Sequence, residues 1–316
     1  MTAAHDQDGV LDPYVQEWLE ANPMYGAPME ELDPELLELA RGPVGAPPKR
    51  EIAHVTDEQA DGVPVRIYRQ DDEPTGLVVY FHGGGFCIGS IGLMDNVARE
   101  ITHATGAVVI SVEYRLAPEH PYPEGLDDCE VVTRWAIAQA DRFGVPADKV
   151  VVAGESAGGN LSAALALRLR DAGDVALAGQ VLLYPGVAGA SRDFPSIREF
   201  DGIILNGGSL SLYWGAYSAG RDLDGDPYAA PLHAETLQGL PPALVVLAGC
   251  DLLRDEGRAY ATRLREDGVD VEEVCYAGQP HGFLNFDLPA AAPAYEAVGA
   301  WVRSVFSGTR SPAARS

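Results

Sequence analysis

The sequence predicts an α/β fold with a mostly parallel central sheet covered by helices on both faces. Three observations lead there. Uninterrupted apolar runs such as GLVVYFHG (76–83) and KVVVAG (149–154) read as strands buried on both sides. These runs alternate along the chain with segments of helical pattern, which is the rhythm of a parallel sheet. At 316 residues and 47% hydrophobic composition, the chain is long enough to bury such a core.

The elements follow in order. Residues 1–48 stand apart as two short amphipathic helix candidates, Pro13–Leu19 and Pro34–Ala40, followed by the linker RGPVGAPPKR. Each candidate is preceded by Asp and begins with Pro, a cap and first-turn pair. Neither can bury a core alone, so both are expected to dock on a larger body. From residue 49 the pattern changes. EIAHVT (51–56) and VPVRIYR (63–69) alternate like paired antiparallel strands around the Asp61-Gly62 turn signal. Strand GLVVYFHG is followed by a helix near 92–105, strand GAVVISVEY (106–114) and a helix at 126–143. Strand KVVVAG, a helix at about 157–171 and strand GQVLLYPG (179–186) come next.

Residues 187–237 break the alternation. They carry aromatics and turn formers but no strand signal, and an insertion of that length is expected to be a lid or binding region. The alternation resumes over 238–308 with strand PALVVLAG (242–249), a helix at 254–268, strand VDVEEVCYA (269–277) and a last helix at 292–307. Residues 309–316 read as a disordered tail.

Charge and cysteine usage narrow the partners. With 47 acidic against 22 basic residues, the formal net charge of -25 argues against nucleic acid and anionic membranes. No apolar run reaches the roughly 20 residues of a membrane span. The first residues have neither the basic nor the apolar region of a secretory signal. Cys87, Cys129, Cys250 and Cys275 are scattered without metal-ligand spacing. A cytoplasmic protein with no metal and no organic cofactor is expected.

The chemistry concentrates in three places. Gly154-Glu155-Ser156-Ala157-Gly158 lies between a strand and a helix, the context of a nucleophile elbow. A serine hydroxyl needs a base, and the base needs an orienting carboxylate. Of the seven histidines, His281 in QPHGF follows a strand at the sheet edge that carries Ser156, where open α/β sheets bind ligands. Asp251 directly follows strand ALVVLAGC; Asp255, Glu256 and Asp287 are its rivals. The order Ser156, Asp251, His281 favours Asp251. His82-Gly83-Gly84-Gly85 after strand LVVYF would turn backbone N–H groups inward. With the Ala157 N–H they would stabilise an oxyanion, each such donor being worth about 10²–10³-fold in rate. His82 reads as a brace of that loop. Tyr25, Phe86, Trp214 and Phe283 are candidates to line an apolar pocket.

Together YFHGGGF (80–86), EYRLAPEHPYP (113–123), GESAGGN (154–160), LLYPG (182–186), DLLRDEG (251–257) and HGF (281–283) resemble the hormone-sensitive-lipase-like carboxylesterases, microbial α/β-hydrolases with an HGGG loop. The resemblance implies an α/β-hydrolase fold with a mainly helical cap, built from the N-terminal helices and the 187–237 insertion. It implies Ser156 as nucleophile, Asp251 as orienting acid, His281 as base, and Gly83, Gly84 and Ala157 as oxyanion donors. The expected reaction is hydrolysis of small to medium acyl esters through an acyl-enzyme. An amidase or formamidase on the same fold, or a non-catalytic small-molecule receptor, is the alternative. Two departures stand out: Glu155 where the family commonly has Asp or Thr, and Asp251-Leu252-Leu253 where it often has DPL. The strand VDVEEVCYA, if it lies at a sheet edge, could support a homodimer.

Overall fold

The computed structural model describes residues 9–23, 27, 31–42, 48–71, 73–286 and 288–310. Asp61 and Gly62 take φ values of 48° and 94°, the positive pair required by a two-residue hairpin turn whose twist matches its strands. That turn joins β1 (His54–Ala60) to β2 (Val63–Arg69) antiparallel. β1 starts at His54 rather than Glu51 and runs on through Asp57, Glu58 and Gln59. Among the described residues it is the outermost strand, and it is half exposed, so polar residues are tolerated there.

The remaining strands are β3 (Leu77–Phe81), β4 (Val108–Val112), β5 (Val150–Glu155), β6 (Gly179–Leu183), β7 (Ala243–Cys250) and β8 (Val271–Pro280). β2 joins β4 antiparallel, and the rest pair in parallel. The order among the described residues is β1-β2-β4-β3-β5-β6-β7-β8. The helices are α1 (Pro13–Ala21), α2 (Pro34–Ala40), α3 (Asp95–Thr105), α4 (Glu124–Ala138), α5 (Ala157–Ala172), α6 (Pro195–Glu199), α7 (Gly207–Ser218), α8 (Arg254–Glu266) and α9 (Ala291–Phe306). The predicted helix at 126–143 breaks after Ala138 into a 3-10 turn over Ala140–Phe143, closed by Gly144 at φ 73°.

Strand side chains alternate between two helical layers. Leu77, Val79, Phe81, Val150 and Val152 pack with Leu126 of α4 and Leu161 and Leu165 of α5. Val78, Tyr80, Val151 and Ala153 pack with Ile101 of α3 and Val298 and Val302 of α9. Leu182, Val245 and Leu247 meet Tyr260 and Leu264 of α8. Burial on both faces is why the central strands lack polar alternation.

The N-terminal helices contact other elements of the chain. Asp12 Oδ1 accepts the Tyr14 N–H and Asp33 Oδ1 accepts the Glu35 N–H, both at 2.8 Å, satisfying first-turn donors. α1 sits by the end of β8, with the Asp12 N–H on the Gly278 carbonyl and Trp18 against Phe286. Leu37 of α2 packs with Cys87 and with Tyr213 of α7. The 187–237 insertion holds α6, α7 and a 3-10 turn at Pro231–His233. Thr309 and Arg310, assigned above to a loose tail, are instead held: Arg310 pairs with Glu272 and lies over the Trp301 ring. No helix among the described residues is long and apolar enough to cross a membrane.

Candidate active site

β5 passes into α5 through a single residue, Ser156, at φ 53° and ψ -115°. A side-chain-bearing residue holds such a backbone only where its surroundings force it. The two flanking glycines show the force. A Cβ on Gly158 would lie 2.6 Å from the His82 carbonyl oxygen and closer still to that of Phe81. A Cβ on Gly154 would collide with the Gly158 backbone and lie 2.8 Å from Ser162 Oγ. Hydrogen at both positions lets β3, β5 and α5 meet around the turn. The Ser156 N–H donates to the Leu183 carbonyl at 2.9 Å, fixing the turn to β6.

Asp251 and His281 arrive from the neighbouring strand pair. The β7–β8 ladder shifts register between Ala248 and Cys250, and Cys250 then pairs with Pro280. Such irregularities re-aim side chains at sheet ends. Here the next residues on each strand, Asp251 and His281, leave the sheet together. His281 Nδ1 lies 2.8 Å from Asp251 Oδ2, and His281 Nε2 lies 2.9 Å from Ser156 Oγ. A carboxylate only accepts, so the ring proton sits on Nδ1 and Nε2 is left to accept the serine hydroxyl. Burial works against a charged His281 ring. The Asp251 charge and hydrogen bond outweigh it, with Glu155 and Glu256 adding to them, and the ring's pKa is raised. Asp251 is buried, and its Oδ1 accepts the Leu253 N–H at 2.9 Å. That bond braces the loop where the related pattern has proline.

The rival carboxylates are engaged elsewhere. Asp255 pairs with Arg254 and accepts the Ser196 N–H. Glu256 accepts the Val187 and Ala188 N–H groups and pairs with Arg192. Asp287 lies outside the described residues.

The glycine loop borders the serine: a Cβ on Gly83 would lie 3.4 Å from the Ser156 Cβ. Gly84 and Gly85 take φ values of 124° and 58°, and a Cβ on Gly84 would collide with the Ile88 carbonyl. His82 is fully buried; its Nδ1–H donates to the Gly83 carbonyl at 2.8 Å and its ring stacks on Tyr114. Burial pushes its pKa down to about 4, so it braces the loop as a neutral ring. The Gly83 N–H is turned toward Glu155 Oε1 at 3.4 Å. The Ala157 N–H opens α5, where no preceding helical carbonyl can accept it.

Of the pocket candidates, Tyr25 lies outside the described residues. Phe86 stacks on Tyr217 with ring centres 3.8 Å apart and meets Trp214 edge-on at 6.3 Å. These contacts tie the glycine loop to α7. Phe283 does not belong with them. It is fully buried against Tyr184 and Tyr276, on the core side of the His281 turn.

Sequence reasoning missed two supports. Glu155 is fully buried and accepts the Tyr80 hydroxyl at 2.9 Å and the Tyr184 hydroxyl at 2.6 Å. The β3–β5 register pairs Tyr80 with Ala153, so parity alone puts Tyr80 and Glu155 on one sheet face. Arg41, just past α2, donates to the Cys87 and Ala117 carbonyls, each at 2.6 Å, and pairs with Glu119. No local pattern marks that reach.

Comparison with known proteins bears on this arrangement. Residues 78–285 match the family described as alpha/beta hydrolase fold. The chain is 35% identical to the esterase LipI of Mycobacterium tuberculosis over 300 residues, covering 92% of this chain and 93% of LipI. It is 42% identical over 245 residues to the carboxylesterase NlhH of the same species, covering 73% and 75%. Among solved structures, the hyperthermophilic esterase of the archaeon Pyrobaculum calidifontis superposes with a TM-score of 0.82 at 34% identity. That match covers 93% of this chain and 98% of the other.

Proposed function

This chain belongs to the α/β-hydrolase family, as a carboxylesterase of the hormone-sensitive-lipase-like kind, and from that premise we propose that Ser156, His281 and Asp251 carry the reaction. Ser156 Oγ attacks the ester carbonyl carbon while its proton passes to His281 Nε2. The carbonyl oxygen becomes an oxyanion and is met by the Gly84 and Ala157 N–H groups. The Gly83 N–H joins them, turning from its long contact with Glu155. The imidazolium is held by Asp251 and gives its proton to the departing alcohol oxygen as the C–O bond breaks. Water then loses a proton to Nε2 and attacks the acyl-enzyme, and the collapsing intermediate returns the serine hydroxyl and a carboxylic acid.

The segments 1–48 and 187–237 form the cap in this reading, over the core parts 49–186 and 238–308. Its support is the contact of Leu37 with Tyr213 and of Phe86 with Trp214 and Tyr217. Aromatic walls beside the glycine loop favour small to medium acyl groups. β8 is the last strand of the sheet among the described residues, and edge pairing there would give a homodimer, read by size-exclusion chromatography. The four cysteines form no disulfide, which suits a reducing cytoplasm.

The observation that carries the proposal is the unbroken chain from Ser156 Oγ through His281 to Asp251. p-Nitrophenyl acetate and butyrate test it. Ser156→Ala is expected to lower turnover by about 10⁴-fold or more, and an unchanged rate overturns it. Matched ester and amide substrates assayed in parallel are expected to favour the ester.

A further inference from the structure

Glu155 touches both halves of the site without being a member of either. Its Oε1 lies 2.9 Å from the Tyr80 hydroxyl and 3.4 Å from the Gly83 N–H at the head of the glycine loop. Its Oε2 accepts the Tyr184 hydroxyl at 2.6 Å. The Tyr184 ring in turn meets the His281 ring edge-on, with centres 5.1 Å apart. The carboxylate is fully buried, and the partners just named are all neutral. A turn-forming residue needs none of this, and a buried carboxylate held by hydroxyls and an amide alone is costly to keep.

We propose that Glu155 is a positioning residue for ester hydrolysis: cradled by Tyr80 and Tyr184, it acts as a second buried carboxylate, one tyrosine ring removed from the imidazole. The inference rests on the Ser156–His281–Asp251 reading above. Three acidic groups act on His281: Asp251 from the end of β7, Glu155 from the end of β5 and Glu256 from α8. Asp251 bonds the ring directly. Glu256 shares its charge with Arg192, which leaves Glu155 the larger field of the other two. A negative charge held there favours the imidazolium each time Ser156 or water gives up its proton. The sign follows. Glu155 raises the basicity of His281, so removing its charge lowers the pH at which the ring protonates and activity disappears.

The test is the pH profile of kcat/KM for p-nitrophenyl butyrate with Glu155→Gln, which keeps the shape and removes the charge. The acid limb is expected to move to lower pH by about one unit, with kcat down about tenfold and KM changed by less than about twofold. Glu155→Asp is expected to leave the limb near its wild-type position. If Glu155→Gln does not fold, Glu155→Asp and Glu155→Asn, again differing in charge alone, are compared on the same limb. A folded neutral variant whose limb coincides with its charged counterpart overturns the inference. Ser156→Ala run alongside separates the two levels. If it is inactive while the limb stays put, only the role of Glu155 is wrong. If it is active, the triad reading itself has failed.

Discussion

Asp251 and His281 meet at 2.8 Å because the residues before them, Cys250 and Pro280, are paired across β7 and β8 after a register shift. The contact is thus set by sheet geometry, with Asp251 braced from its other oxygen by the Leu253 N–H.

Replacing the carboxylate tests that relationship. Asp251→Asn keeps the shape but removes the charge and the fixed tautomer. We expect kcat to fall about 10⁴-fold with KM little changed. Because Asp251 raises the His281 pKa, any residual activity should persist to lower pH than in the wild type. A steady-state pH series measures both effects.

Two glycine substitutions should have opposite signs. Gly158→Ala forces a methyl group into the Phe81 and His82 carbonyls, which are backbone and cannot step aside. A loss of about 3 kcal/mol or more is expected in urea unfolding. Gly215→Ala, inside α7 with open space around its Cβ position, should gain about 0.5–1 kcal/mol from lower backbone entropy in the unfolded chain.

Arg41 clamps the loop that follows the glycine turn through the Cys87 and Ala117 carbonyls. Arg41→Ala should let that loop drift and reduce kcat by about ten- to a hundredfold, with circular dichroism unchanged. Arg41→Lys should recover only part of the rate, since an ammonium lacks the planar fork that reaches both carbonyls and Glu119.

The insertion is anchored by a buried carboxylate. Glu256 accepts the Val187 and Ala188 N–H groups and pairs with Arg192, whose guanidinium lies over Trp214. Arg192→Ala leaves that carboxylate without its cation, and a loss of about 3 kcal/mol is expected in denaturant. Burial already raises the Glu256 pKa, so the loss should shrink as pH falls and the group protonates.

Much of this was legible in the chain because buried parallel strands and tight turns leave strong local marks. The apolar runs at 77–81 and 150–154 and the positive-φ pair Asp61-Gly62 identify themselves. Ser156, Asp251 and His281 each follow a strand, so their convergence is a matter of which sheet edge they share. α7 left a weak signal: GGSLSLYWGAYS has poor helix formers and buries aromatics without a one-sided stripe. Phe283, named among the aromatic pocket candidates, stands two residues from His281, but the turn at Gly282 sends it into the core. The Arg41 clamp and the Tyr184 hydroxyl on Glu155 join residues far apart in sequence through side-chain reach, which no periodicity encodes.

The central claim is that Ser156 becomes acylated, and covalent labelling reads this most directly. The protein is treated with diethyl p-nitrophenyl phosphate, digested and mapped by mass spectrometry while residual esterase activity is followed. The account predicts one diethylphosphoryl group on the peptide carrying Ser156, appearing at the rate at which activity is lost, and no label in Ser156→Ala. Complete inactivation with Ser156 unmodified would contradict it.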